Sequence, residues 1–132
     1  MKLIEIFFLI CLVESGFDTE AVGRHGELGP AQITAIMVED FNRIAGENLL
    51  HEEVKSYTVS FMVFETVLRH YEREIYERSP AKYSDIEAIA RFWNGGPNWR
   101  RATGNKLSNL NNYWEKIKKE LTNVKKYSSI AL

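Results

Sequence analysis

The chain reads as a mostly α-helical fold, a single domain over residues 1–132 with about five main helices. Three observations predict this. Apolar residues recur at three- and four-residue steps through long windows. No window shows sustained strand-like alternation. Helix starts and stops punctuate the chain, most plainly at Gly46, at Ser84-Asp85-Ile86-Glu87 and at Asn94-Gly95-Gly96-Pro97. The length of 132 residues suits one domain, and the 45% apolar content can fill a core without metal or disulfide staples.

The first helix is the apolar run Leu3-Ile4-Glu5-Ile6-Phe7-Phe8-Leu9-Ile10-Cys11-Leu12-Val13, which closes at Glu14-Ser15-Gly16. Residues 16–29 are rich in glycine and polar groups and read as a loop, with room for a small hairpin near 20–29. Pro30 suits the first turn of a second helix, about 31–45, which carries Ile33, Ile36, Met37, Phe41 and Ile44 and stops at Gly46. A long third helix is expected over about 51–77. Val54, Tyr57, Phe61, Phe64, Leu68, Tyr71 and Ile75 stripe one of its faces, widened by Val59, Met62, Val63 and Val67. Its charged end, Arg69 to Glu74, reads as solvated, and Ser79-Pro80 breaks it. Ser84 and Glu87 form a capping box for a fourth helix, which carries Ile86, Ile89, Ala90 and Trp93. After a polar stretch from Trp99 to Lys106, a last helix over about 107–125 places Leu110, Tyr113, Trp114, Ile117 and Leu121 together.

Composition removes several function classes. A net charge of −1 gives no global field for nucleic acid. Glu115 and Glu120 dilute the basic C-terminus of Lys116, Lys118, Lys119, Lys125 and Lys126. The single cysteine, Cys11, sits in the apolar helix and reads as a small core residue. His25, His51 and His70 show no metal-ligand spacing, and neither a phosphate loop nor a nucleophile elbow is present. No cofactor is expected. Met1-Lys2 and the apolar run superficially resemble a signal peptide. Glu5 interrupts the run and a clean cleavage site is missing, so it reads as a core helix, too short for a membrane span.

Glu14 carries the chemical interest. It stands at the exit of a nearly all-apolar helix, where desolvation favours the neutral acid and raises the pKa. An acid in a last turn also opposes the helix dipole. A carboxyl still protonated near neutral pH is the general acid that glycosidic-bond cleavage requires. Two segments suit the rest of such a site. Gly26-Glu27-Leu28-Gly29-Pro30-Ala31-Gln32-Ile33 is a glycine-defined loop, with Gln32 offering a donor and an acceptor to an amino sugar. Phe92-Trp93-Asn94-Gly95-Gly96-Pro97 combines aromatic rings, whose faces pack on sugars, with an amide for hydroxyls. Asp18, Glu20 and Glu27 are the nearby carboxylates. A second one would have to stand about 5 Å from the acid in a retaining hydrolase, or roughly 6.5–9.5 Å in an inverting one.

In order and content these segments resemble the lysozyme-like superfamily of peptidoglycan-cleaving enzymes. Val13-Glu14-Ser15-Gly16-Phe17 looks like the Glu-Ser motif of soluble lytic transglycosylases. The Gly26 to Ile33 segment is similar to their Gly-x-x-Gly-x-x-Gln-Ile motif. Ile89-Ala90-Arg91-Phe92-Trp93-Asn94-Gly95-Gly96-Pro97 resembles their Ala-Tyr-Asn-x-Gly, and still more the Ala-Arg-x-x-Asn-Gly-Gly-Pro of invertebrate-type lysozymes. Tyr113-Trp114-Glu115-Lys116-Ile117 resembles the Tyr-Trp-x-x-Val near the end of that second family.

The resemblance implies a lysozyme-like fold and a substrate of alternating N-acetylmuramic acid and N-acetylglucosamine. It implies Glu14 as general acid and then base, with Ser15 orienting it, and Gln32, Trp93, Asn94 and Gly95 at the substrate. Trp93 stands where transglycosylases have Tyr and invertebrate-type lysozymes have His. Those lysozymes are cystine-rich and use a second catalytic Asp. Here the matching stretch, Ala21 to His25, holds no acid, and Glu27 is the nearest candidate. Lytic transglycosylases need no second carboxylate, so that outcome is favoured over hydrolysis. A non-catalytic peptidoglycan-docking protein is the alternative outside enzymology. The expected partner is peptidoglycan, met by a monomer at the cell wall or periplasm by an unspecified export route, with neither nucleic acid nor membrane insertion involved.

Overall fold

The computed structural model describes residues 1–77 and 83–130. The fold is mostly α, and the described residues contain no strand, only isolated bridges. The expected helix break at Ser79-Pro80 lies outside the described residues. The chain divides into two compact units, Met1–His70 and Tyr71–Leu132.

In the first unit, α1 (Leu3–Ser15) buries Ile6, Phe7, Leu9, Ile10 and Cys11. Phe7 lies against Phe61 and Phe64, with ring centroids 5.3 Å away in both pairs. The helix closes at Gly16, whose φ of 63° puts it in the left-handed region that glycine tolerates. The second helix, α2 (Ala35–Ala45), begins four residues later than expected. Thr34 caps it by accepting the Met37 N–H at 3.1 Å. The delay changes the buried face: Val38 and Phe41 point inward while Ile36 is 77% exposed. Gly46 ends α2 as expected.

The expected long third helix is instead three pieces: a 3-10 turn His51–Lys55, the helix α3 (Tyr57–His70), and a π-helical turn Arg73–Glu77. Ser56 makes the first break. Its backbone is extended, and its carbonyl accepts the Ser60 N–H at 2.9 Å. The Ser60 hydroxyl donates to the Val54 carbonyl, binding the 3-10 turn to α3. The α3 core face is Ser60, Val63, Phe64, Val67 and Leu68, and Met62 faces out. The charged end is exposed at Arg69, His70, Glu72 and Arg73.

In the second unit, Ser84 caps α4 (Asp85–Gly95) by accepting the Glu87 N–H at 3.2 Å. The Glu87 carboxylate holds Arg91 Nε at 2.8 Å, and Arg91 Nη1 donates to Asn111 Oδ1 at 3.0 Å. This buried guanidinium links α4 to the last helix, α5 (Gly104–Ile130), which starts three residues earlier than expected. Of the predicted face of α5, Leu110, Tyr113, Ile117 and Leu121 are buried and Trp114 is half-buried. Between the helices, a 3-10 turn Trp99–Arg101 stacks Arg100 on the Trp99 ring, 4.3 Å from its centroid. Arg100 also donates to the Ile75 carbonyl at 2.7 Å, fixing the π-helical turn.

Candidate functional site

Glu14 lies half-buried in the last turn of α1, a turn with no basic residue. The turn is closed by the Gly16 N–H on the Leu12 carbonyl at 3.0 Å and the Phe17 N–H on Cys11 at 3.4 Å. One turn earlier, Cys11 is fully buried, and its thiol pKa is pushed up to about 12. Burial is the main cause and the nearby Glu14 charge the second, partly offset by a backbone hydrogen bond. A thiol this hard to ionise is a core residue and not a nucleophile.

Ser15 connects this turn to the glycine loop. Its hydroxyl donates to the Pro30 carbonyl at 2.8 Å, with the Cys11 carbonyl at 3.3 Å, and accepts the Asp18 N–H at 3.1 Å. The chain leaves the helix through Phe17, a non-glycine residue at φ 66°, whose carbonyl accepts the Tyr57 hydroxyl at 2.7 Å.

The loop itself is a hairpin in miniature. Val22 and Leu28 form one antiparallel bridge, Leu28 and Ile33 another, and the Gly23 N–H closes on the Glu27 carbonyl at 2.8 Å. Pro30 and Gln32 belong to a turn here, not to the first turn of a helix as the sequence suggested. The Gln32 N–H donates to Gly29 at 3.1 Å, and Gln32 is held at φ 52°. A left-handed glutamine is uncommon and persists where its surroundings fix it. Here its side-chain amide donates to the Ala21 carbonyl at 3.2 Å and the Gly29 carbonyl at 3.0 Å. With the nitrogen so engaged, the Gln32 oxygen is turned toward Gly23, where the Glu27 carboxylate also lies. Both oxygens occupy the space that a Cβ at Gly23 would need.

Gly29 has a different role from the ligand approach its motif suggested. Its φ is +80°, and a Cβ there would stand 2.5 Å from the Val54 carbonyl. Its close neighbour is therefore the backbone of the 3-10 turn. His51, in that same turn, places Nε2 2.7 Å from the Ile33 carbonyl, an arrangement that requires a proton on Nε2. The first unit therefore places Gln32 and Glu27 on one loop, which Ser15 ties through the Pro30 carbonyl to the turn that carries Glu14.

In the second unit, Trp93 is only 6% exposed and Phe92 1%. An aromatic shelf for a sugar needs an open face, so in this structure these rings serve packing. Asn94 is exposed. Gly95 is half-buried, and a Cβ there would meet Leu110 Cδ2 at 2.7 Å and Trp99 Cβ at 3.1 Å. Its lack of a side chain allows α4 and α5 to approach. Sequence reasoning missed Gly23 and His51: one acts through empty space, the other through a contact 18 residues distant.

Among the described residues, no group of three or more His, Cys, Asp or Glu could hold a metal ion. None of the described helices is long and apolar enough to cross a membrane. Compared with protein-family models, curated proteins and solved structures, the chain matches none.

Proposed function

We propose that the protein cleaves the β-1,4 bond between N-acetylmuramic acid and N-acetylglucosamine in peptidoglycan, as a lytic transglycosylase. The observation that supports this reading best is the link from the Glu14 turn, through Ser15, to the loop that holds Gln32. Bonds to Ala21 and Gly29 occupy the Gln32 amide N–H groups, so Gln32 keeps only its oxygen as an acceptor for a sugar N–H or O–H, and its fixed backbone suits a site that holds a sugar in one pose. In the reaction, the Glu14 carboxyl gives its proton to the departing glycosidic oxygen as the C1–O bond breaks. The resulting carboxylate then takes the proton of the muramic acid 6-hydroxyl, whose oxygen bonds to C1. The product is a 1,6-anhydro end, no water is consumed, and Glu14 is restored to its acid form.

One observation favours a second reading, hydrolysis. The Glu27 carboxylate lies on the same loop, beside the Gln32 oxygen over Gly23. A second carboxylate near the acid is what a lysozyme needs to activate water or trap the oxocarbenium ion.

Purified peptidoglycan digested by the wild type, Glu14→Gln and Glu27→Gln tests both. Mass spectrometry should find anhydro ends from the wild type. Glu14→Gln should release muropeptides at least about a hundredfold more slowly, the scale of a lost general acid. Glu27→Gln should stay within a few-fold of the wild type. Reducing ends, with a comparable loss in Glu27→Gln, would assign hydrolysis instead. Undiminished digestion by Glu14→Gln would remove Glu14 from the chemistry. Saturable binding without any release would leave a docking protein.

A further inference from the structure

A cavity of about 380 Å³ opens beside the end of α2. It is lined by Phe41 of α2, by Glu47, Asn48 and Leu49 of the following loop, by Glu53 of the 3-10 turn, and by Met62 of α3. Its volume lies in the range of small-molecule sites. All six residues belong to the first unit, and none takes part in the loop that holds Gln32.

The cavity wall is set by hydrogen bonds. Asn42 Nδ2 donates to the Leu49 carbonyl at 3.0 Å, and Asn42 Oδ1 accepts the Leu49 N–H at 2.8 Å. This two-way latch fixes the loop after Gly46. Glu53 accepts the Leu50 N–H at 2.8 Å through Oε2, which leaves its second oxygen for another donor. The lining is chemically one-sided. Phe41, Leu49 and Met62 supply an apolar floor. Glu47, Glu53 and Asn48 supply acceptors, and no lysine or arginine lines the cavity.

We infer that this cavity binds a primary ammonium at the end of a short aliphatic chain, as carried by a lysine-type residue of a peptide. An ammonium has three N–H donors and no acceptor. Glu47, the second Glu53 oxygen and the Asn48 amide oxygen offer three acceptors for its three donors, and the two carboxylates supply charge opposite to its own. The methylene stem covers Phe41, Leu49 and Met62, as lysine stems cover apolar surface elsewhere. A prebuilt loop limits the ordering cost of binding. The inference does not rest on glycan cleavage, since Glu14 takes no part in it.

The test is an NMR titration of the full chain with Nα-acetyl-lysine methylamide. Nα-acetyl-norleucine methylamide, which keeps the four-carbon stem and lacks the ammonium, serves as the uncharged control and n-pentylamine as the ammonium without a peptide. The lysine probe should shift Leu49 and Met62 methyl signals with a Kd near the millimolar range, roughly tenfold tighter than norleucine. Glu47→Gln with Glu53→Gln should remove that preference while keeping the fold, since Gln can still accept the Leu50 N–H. Equal binding of lysine and pentylamine supports the ammonium and shows that the peptide adds nothing. Overturning results are no shift at 20-fold above the expected Kd, on the order of 20 mM, equal binding of norleucine, or a preference that survives the double substitution.

Discussion

Gly23 shows how a residue with no side chain can organise two that have them. The Glu27 and Gln32 oxygens fill the place of its missing Cβ. Adding a methyl leaves the backbone allowed, because φ there is not in the left-handed region, but it evicts both oxygens. Gly23→Ala should therefore keep the fold, costing about 1–3 kcal/mol as a local overpacking. The Gln32 side-chain NH₂ signals should move toward solvent-like values as its two carbonyl bonds weaken. If the proposed reaction is correct, muropeptide release falls about tenfold or more, a misplacement effect. Gly26 is the contrast. Nothing lies within 4 Å of a Cβ there, yet its φ is +82°. Gly26→Ala should cost roughly 1–2 kcal/mol through backbone strain and leave the Gln32 signals in place. Proton NMR and thermal melts separate the two cases. Unchanged Gln32 signals in Gly23→Ala would show that the carboxylate alone gives way.

Among the elements, α4 is the one most dependent on a single side chain. The Arg91 guanidinium joins Glu87 within the helix to Asn111 on α5, with 9% and 17% of the Arg91 and Glu87 side chains exposed. It also lies over Tyr83, 5.4 Å from the ring centroid. Removing one member of a buried pair strands the other charge. Arg91→Ala should destabilise by about 3 kcal/mol and Asn111→Ala by about 1 kcal/mol, read as lower urea midpoints at constant slope. This helix was also the most legible in sequence. Ser84 announces its start and Asn94-Gly95-Gly96 its end, because caps and stops act over three or four residues, although the expected capping box is only half made, the Glu87 carboxylate going to Arg91. The α2 start was misread because Pro30 fits a turn as well as a helix, and the Gln32 turn is set by carbonyls at Ala21 and Gly29. The break at Ser56 was hidden because the apolar stripe continues across it. What decides it is the Ser60 hydroxyl on Val54, a contact that periodicity does not encode. The same holds for the candidate site: the Glu14 address at a helix exit is local, whereas the Gly23 cradle and the His51 pin are made across a folded loop.

At the scale of the whole molecule, the buried thiol makes stability depend on alkaline pH. Cys11 is fully buried, and its pKa rises from 9.0 to about 12 on folding. A raised pKa means that the native state holds the proton more tightly than the unfolded chain does. The stabilising contribution is complete below pH 9 and is lost as pH rises toward 12, because only the unfolded thiol ionises in that window. The slope approaches about 1.4 kcal/mol per pH unit. The thiol's ordinary value of 9.0 lies a unit below the tyrosine value of 10.0, so its share of the loss begins first. Above pH 10, Tyr57 and Tyr76, both pushed up by burial first, add to the loss. Urea unfolding at pH 7, 9, 10 and 11 should show a falling midpoint. Cys11→Ala should begin less stable, by the apolar contact it gives up, and lose the part of the slope between pH 9 and 10. The Glu14 charge is the second cause of the shift, so Glu14→Gln should weaken the pH dependence without abolishing it. Thiol labelling supplies an independent reading: a disulfide reagent should modify native Cys11 only as fast as the chain opens. Rapid labelling at pH 8, or a pH slope unchanged in Cys11→Ala, would show that the thiol is not the group that couples folding to alkali.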